Sequence, residues 1–152
     1  VADDALPPPA DVRDETLATY EAHADRYAER TSGGRSTLVA ELVDLTAAGS
    51  RVLELGSGPG RDAADLERAG LVVDRTDGAA AFVERFRRKG FEARLLNFYD
   101  TAFYDADFSE PYDAVFANAV LLHVDRDRLA GVPRSAPGHA CRRRSRGVVQ
   151  ER

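Results

Sequence analysis

The segment Val52 to Asp62, VLELGSGPGRD, is the part of this chain whose residue types and spacing point most directly to chemistry. Gly56, Gly58 and Gly60 stand at alternate positions, so the backbone can take φ values closed to other residues and admit a ligand against the main chain. A helix beginning just after the turn would aim its N-terminus, with its partial positive charge, at the same place. By itself such a turn marks no more than a nucleotide-like ligand. Two neighbours sharpen it: Glu54 lies two residues before Gly56, and Arg61 stands where the dinucleotide fingerprint GxGxxG needs its third glycine. That substitution disfavours a nicotinamide-dependent oxidoreductase. With no pyrophosphate to hold, an acid beside the turn is no longer penalised and is free to face a cationic amine.

A turn of this kind needs a strand before it and a helix after it. Arg51 to Leu55 is a β-prone run, and Arg61 to Ala69 reads as a helix stopped by Gly70. The alternation continues with a strand over Leu71 to Thr76 and a helix over Gly78 to Lys89. In that helix Phe82 and Phe86 pair at i,i+4 beneath a solvated face of Arg85, Arg87, Arg88 and Lys89. A third strand is predicted over Phe91 to Leu96, then an acidic and aromatic connection from Asn97 to Pro111, then a fourth strand over Tyr112 to Ala117. A helix capped by Asp125 follows. Upstream, Leu17, Tyr20, Ala24 and Tyr27 form one stripe of a helix over Asp14 to Arg30. Leu38, Leu42 and Leu45 mark a second helix from Ser36, its N-cap, to about Ala48. The pattern predicts an α/β fold with a parallel sheet covered on both faces.

The 152 residues, 43% of them hydrophobic and 31% charged, allow one domain with a real core. No apolar run approaches the ~20 residues of a membrane helix, and the opening VADDALPPPAD lacks the basic and apolar regions of a signal peptide. Cys141 is the single cysteine, which excludes a disulfide framework and a Cys-rich metal site and fits a cytoplasmic location. A net charge of −5 argues against broad nucleic-acid binding. Residues 1–13 read as an extended arm fixed by Pro7, Pro8 and Pro9. Residues 133–152 are of a different kind: six Arg against one Glu, with no helical or strand period, an irregular basic tail that suggests a displaced reading frame. The domain proper is expected over 14–132.

Glu54, Leu55, Gly56, Ser57, Gly58, Pro59 and Gly60 match in full the motif [DE]xGxGxG, and here the sequence resembles the class I S-adenosylmethionine-dependent methyltransferases. The resemblance extends over about residues 15–132. An acid at the end of the second strand falls at Asp77, a polar residue after the third at Asn97, and the fourth strand, YDAVFANAVLLHV, is of the usual kind. Asn97 departs from the more frequent Asp, and the fifth to seventh strands are not recognisable. The resemblance implies a Rossmann-like three-layer sandwich with a mostly parallel sheet, its C-terminal strands incomplete. It also implies methyl transfer from S-adenosylmethionine to a small-molecule acceptor, with no metal.

Carried onto this chain, the resemblance places the methionine part of the cofactor over Gly56, Ser57, Gly58 and Gly60, with Glu54 orienting the turn and reaching the ammonium. Asp77, with Gly78 behind it, would accept both ribose hydroxyls. Asn97 and Phe98 would flank the adenine, and Asn118 would line the crevice beside the methyl group. Each residue also has a plainer reading. Glu54 suits a strand-end ion pair, and Asp77 suits a turn before Gly78; if Asp77 instead holds the ribose, Asp77→Asn should cost affinity with little loss of melting temperature, whereas a turn residue would leave affinity unchanged. His123 is a general-base candidate or a residue packed at a helix start. Tyr20 and Tyr27 suit the inner face of a lid helix, with or without substrate contact. If later strands are missing, Val115, Val120 and Leu121 should be partly exposed, the strand edge open to self-association, and turnover weak. The alternative from another class is a catalytically silent cofactor-binding fragment.

Overall fold

The computed structural model describes residues 12–30, 36–97 and 112–120. Residues 1–11 of the expected arm, the connection over 98–111, the helix expected at Asp125 and the basic tail, together with Phe98, Leu121 and His123, lie outside the described residues, whereas Val12 and Arg13, expected in the arm, already belong to the first helix. In chain order the elements are α1 (Val12–Arg30), α2 (Thr37–Leu45), β1 (Arg51–Leu55), α3 (Arg61–Arg68), β2 (Val72–Asp77), α4 (Ala80–Arg88), β3 (Arg94–Leu95) and β4 (Ala114–Ala117). The four strands form one parallel sheet in the order β3-β2-β1-β4, with Leu55 beside Thr76 on one side and Ala117 on the other. All parallel strands point their carboxyl ends the same way, so the β1 turn, Asp77, Asn97 and Asn118 are delivered to one rim of the sheet.

Hydrophobic alternation decides which face packs where. Val52 and Phe116 join Leu38, Val39 and Leu42 of α2 and Leu66 of α3 in a buried cluster. Leu53, Leu55, Val115 and Ala117, which the strand register puts on the opposite face, are also buried. Val115 is 1% exposed, so the expectation of a partly exposed fourth strand fails at that residue, and Val120 is half-buried. Arg75 of β2 knits the helical layer together from below: its guanidinium bonds Glu67 of α3 at 2.6 Å and lies 5.7 Å and 4.6 Å from the Phe86 and Phe91 ring centroids.

The second helix and the third strand are shorter than the sequence reading for local reasons. The second helix stops at Leu45 rather than Ala48, because Thr46 turns extended and its hydroxyl donates to the Leu42 carbonyl. Ser36 does occupy the N-cap position of that helix, yet its hydroxyl makes no capping bond. The third strand shrinks to Arg94–Leu95 because the Phe91 amide is spent on the Phe86 carbonyl at the end of α4. Arg94 then anchors this short edge strand through Tyr112 at 2.8 Å and Asp74 at 3.4 Å.

Helix α1 crosses the carboxyl rim and docks on α4. Its backbone leaves helical geometry at His23 (φ −127°, ψ 18°), so the two halves meet at a kink. The N-terminus of α4 has Ala79 at its cap position and no side-chain cap of its own. Glu21 of α1 supplies one from outside, accepting the Ala80 amide and, at 3.0 Å, the Ala81 amide. Asp25, one turn further along α1, pairs with Arg85, so that member of the basic cluster is a docking residue rather than part of a solvated face. Replacing Glu21 with Ala leaves two amides without this partner, and chemical denaturation should show a loss of about 1 kcal/mol, the usual cost of removing a cap. An unchanged midpoint would show that α1 does not depend on this contact.

Candidate active site

The glycine turn is held by hydrogen bonds that run between the ends of β1 and β2. Ser57 donates its amide to the Thr76 carbonyl at 2.8 Å and its hydroxyl to the Glu54 carboxyl at 2.5 Å, while accepting the Thr76 amide at 3.2 Å. Thr76 returns a hydroxyl bond of 2.6 Å to the Glu54 carbonyl. The Gly58 amide donates to Asp77 Oδ2 at 2.7 Å, and the Ala79 amide to Oδ1 at 2.8 Å. Asp77 is thus both a brace for the turn and part of its wall.

The three glycines do different jobs. A Cβ at Gly56 would fall 2.5 Å from Val120 Cγ2, and one at Gly60 would collide with the Phe86 ring. Both positions therefore exist for close packing against their neighbours, and Gly60 (φ +84°) also begins α3 from a left-handed conformation. Only Gly58 (φ +50°) has nothing within 4 Å of its absent side chain. The open space over a missing side chain belongs there, beside Asp77, where a ligand can approach the main chain.

A cleft at the carboxyl rim takes Gly56, Gly58, Asp77, Gly78, Asn97, Asn118, Ala119 and Val120 as floor and walls. Thr16, Leu17, Tyr20 and Tyr27 of α1 form its roof, and Phe82 of α4 fills the angle between roof and wall. Tyr20, Tyr27 and Phe82 make an aromatic trio with ring centroids 5.5 Å to 6.3 Å apart. Of the residues singled out in the sequence, the structure brings Gly56, Gly58, Asp77, Gly78, Asn97, Asn118, Tyr20 and Tyr27 to this one cleft. Glu54, Ser57 and Gly60 sit behind the turn and brace it instead. Sequence reasoning missed Thr16, Leu17, Phe82, Ala119 and Val120 as lining residues. Phe82 was visible as the apolar partner of Phe86, but nothing in its spacing told which ring would face the rim.

Burial dominates the electrostatics of this rim. Glu54 is 2% exposed, and removal from water pushes its pKa up to about 7, against the opposing hydrogen bond from Ser57. Asp77 is also raised, first by burial, with the Ala79 and Gly58 amides pulling the other way. The Tyr20 hydroxyl is raised by burial, Tyr27 and Asp77. For Glu54 the folded state holds its proton where the unfolded chain has lost it, so stability is lost as pH rises from about 4.5 through about 7. Glu54→Gln should flatten this slope, and a pH series of melting temperatures should show the variant gaining on the parent as pH rises from about 4.5 to about 7, with the difference constant above that. Parallel curves for the two proteins would mean that Glu54 stays ionised in the fold.

Residues 53–132 match the methyltransferase domain family, and no curated protein sequence matches the chain. Among solved structures, the magnesium protoporphyrin IX methyltransferase of Synechocystis, with bound S-adenosylmethionine, is similar at 18% identity and a TM-score of 0.62, over 83% of this chain and 70% of that one. The 1,6-didemethyltoxoflavin N1-methyltransferase of Burkholderia thailandensis aligns at 18% identity and a TM-score of 0.58, over 86% of this chain and 63% of that one. A TehB-like S-adenosylmethionine-dependent methyltransferase of Corynebacterium glutamicum aligns at 21% identity and a TM-score of 0.56, over 72% and 62%. At these identities the structures establish the shared Rossmann-like fold, and the chain spans only about two thirds of their length. The sequence match covers more than half of the chain, and the chain therefore belongs to the methyltransferase domain family, the class I enzymes that use S-adenosylmethionine.

Proposed function

We propose that this chain binds S-adenosylmethionine along the rim of its sheet and transfers the methyl group to a small-molecule acceptor held beneath α1. The observation that carries the reading is the convergence of the open side of Gly58, the Asp77 carboxylate, Asn97 and Asn118 in one roofed cleft at the carboxyl ends of the strands. The residues fit the cofactor. Gly58 leaves main chain accessible where a side chain would block it. Asp77 has committed one lone pair of each oxygen to a backbone amide, so each oxygen retains acceptor capacity for a ribose hydroxyl. The Leu96 amide bonds the Asp77 carbonyl at 2.8 Å, which sets Asn97 next to Gly78 on the side assigned to adenine.

When bound, S-adenosylmethionine supplies a methyl group already activated by its sulfonium. What is left to the chain is placement and dryness. Tyr20, Tyr27 and Phe82 close the roof with aromatic surface, Leu17 extends it and Val120 faces it from the wall, so an acceptor lodged there is shielded from water. The acceptor is assigned as a small molecule because the cleft is closed over by α1 and by Phe82 of α4, and because two structurally similar enzymes are named for acceptors of that class.

Titration calorimetry on this chain should show S-adenosylhomocysteine binding and no binding of NAD; the reverse preference would overturn the reading. Asp77→Asn should lower that affinity by about 1–3 kcal/mol, the scale of a lost charged acceptor. The expectation of little change in melting temperature does not survive the structure. Both Asp77 oxygens hold backbone amides, so the variant must set an NH2 against one of them, and its melting temperature should fall together with the affinity. Full affinity in the variant would leave Asp77 a turn residue.

A further inference from the structure

Asn118 closes the cleft at the carboxyl end of β4, and the orientation of its amide is determined by a residue outside the cleft lining. Asp62, in the first turn of α3, places Oδ2 2.8 Å from Asn118 Nδ2. Its other oxygen accepts from Arg61 Nε at 3.2 Å. The second proton of Nδ2 has the Ser36 hydroxyl at 3.5 Å, the limit of contact, which is where the cap residue of α2 spends its oxygen. A carboxylate held by a guanidinium accepts and does not donate, so the amide of Asn118 has only one orientation compatible with Asp62: nitrogen toward α3, oxygen away from it. Both amide protons are then engaged inside the protein, and Oδ1 is the polar atom of this side chain left for a ligand.

We infer that Asp62 is a positioning residue, fixing the Asn118 amide so that this end of the cleft accepts a hydrogen bond and selects a ligand group bearing N–H, an amine or ammonium. The inference rests on the proposed cofactor reading, which places the amino-acid part of the ligand along the same turn. It goes beyond that reading because Asp62 does not line the cleft and acts through Asn118. Its chain position is also the reason it reads as an ordinary acidic residue in a first helical turn.

Two measurements test the pairing and its consequence separately. In 15N-edited NMR spectra of the ligand-free chain, the Asn118 side-chain amide, assigned by its loss in Asn118→Asp, should show protection from solvent exchange that disappears in Asp62→Ala. An unprotected amide in the parent, or one unaffected by Asp62→Ala, overturns the pairing whatever the ligand. For the consequence, affinities are compared by calorimetry for S-adenosylhomocysteine and for 5′-methylthioadenosine, which keeps the nucleoside and lacks the amino-acid ammonium. Asp62→Ala should weaken the first about tenfold and the second less than about twofold, the difference corresponding to one hydrogen bond to a charged group. Asp62→Asn, which keeps one acceptor oxygen for Asn118, should recover part of the loss. Equal weakening of both probes would make Asp62 a structural residue and overturn the positioning role. Failure of the parent chain to bind either probe would overturn the cofactor reading, while the exchange measurement would still decide the pairing.

Discussion

The bond from the Gly58 amide to the Asp77 carboxylate is the contact on which the rest of the rim depends. It joins the turn after β1 to the end of β2, along the wall of the cleft. A parallel pair of strands cannot close its own ends with a hairpin, so the carboxyl ends of β1 and β2 are left to be tied by side chains and loop amides. Ser57 and Thr76 make the inner tie, bonding each other in both directions, and Asp77 makes the outer one. The inner tie fixes the register of the turn. The outer one leaves a carboxylate at the surface of the cleft with capacity to spare.

That arrangement forces the packing around it. A turn drawn down onto β2 has no room for side chains on its underside, and so Gly56 lies against Val120 and Gly60 against Phe86. The Phe86 ring reaches Gly60 because α4 is pulled over the sheet by Arg75 below and by Glu21 and Asp25 of α1 above. Roof and floor are thus one mechanical unit: the helix that covers the cleft also caps the helix that packs on the turn. Loosening α1 would be felt at Gly60, although the two do not touch in sequence or through a single bond.

Much of this was legible in the sequence, for reasons that can be named. Glycine at alternate positions, followed by Arg61 and a helical stripe, identifies the turn because few other structures need that pattern, and β1, α3, β2 and α4 fall within a residue or two of their predicted bounds. The third strand was over-read because Phe91 looks β-prone in isolation, whereas its amide closes α4 and its ring covers a buried guanidinium. Tertiary contacts decide such cases. The same limit hides the division of labour among the glycines, which depends on Val120 and Phe86, both distant in the chain. It hides Glu21 and Asp62 as well, since an acid on a helix surface looks alike whether it faces solvent, another helix's N-terminus or an asparagine.

Four acids, Glu21, Glu54, Asp62 and Asp77, crowd around one glycine turn, and each is accommodated by a different device. Glu54 is fully buried, and the cost of its charge is met by holding its proton up to about pH 7. Asp77 meets the same difficulty with two backbone amides, Glu21 with the N-terminus of α4, and Asp62 with Arg61 and Asn118. The devices differ in what they leave over. A carboxyl that has retreated behind the turn and kept its proton offers little to a ligand, and Glu54 does not line the cleft. Asp77 keeps lone pairs at the cleft wall, and Asp62, through Asn118, presents an amide oxygen there in its place. The polar atoms that these acids bring to the cleft are therefore acceptors, and a cleft so furnished favours a ligand that carries hydroxyls and a positive charge over one that carries phosphate. The missing third glycine at position 61 says the same thing from the sequence side, since its place is taken by the arginine that holds Asp62.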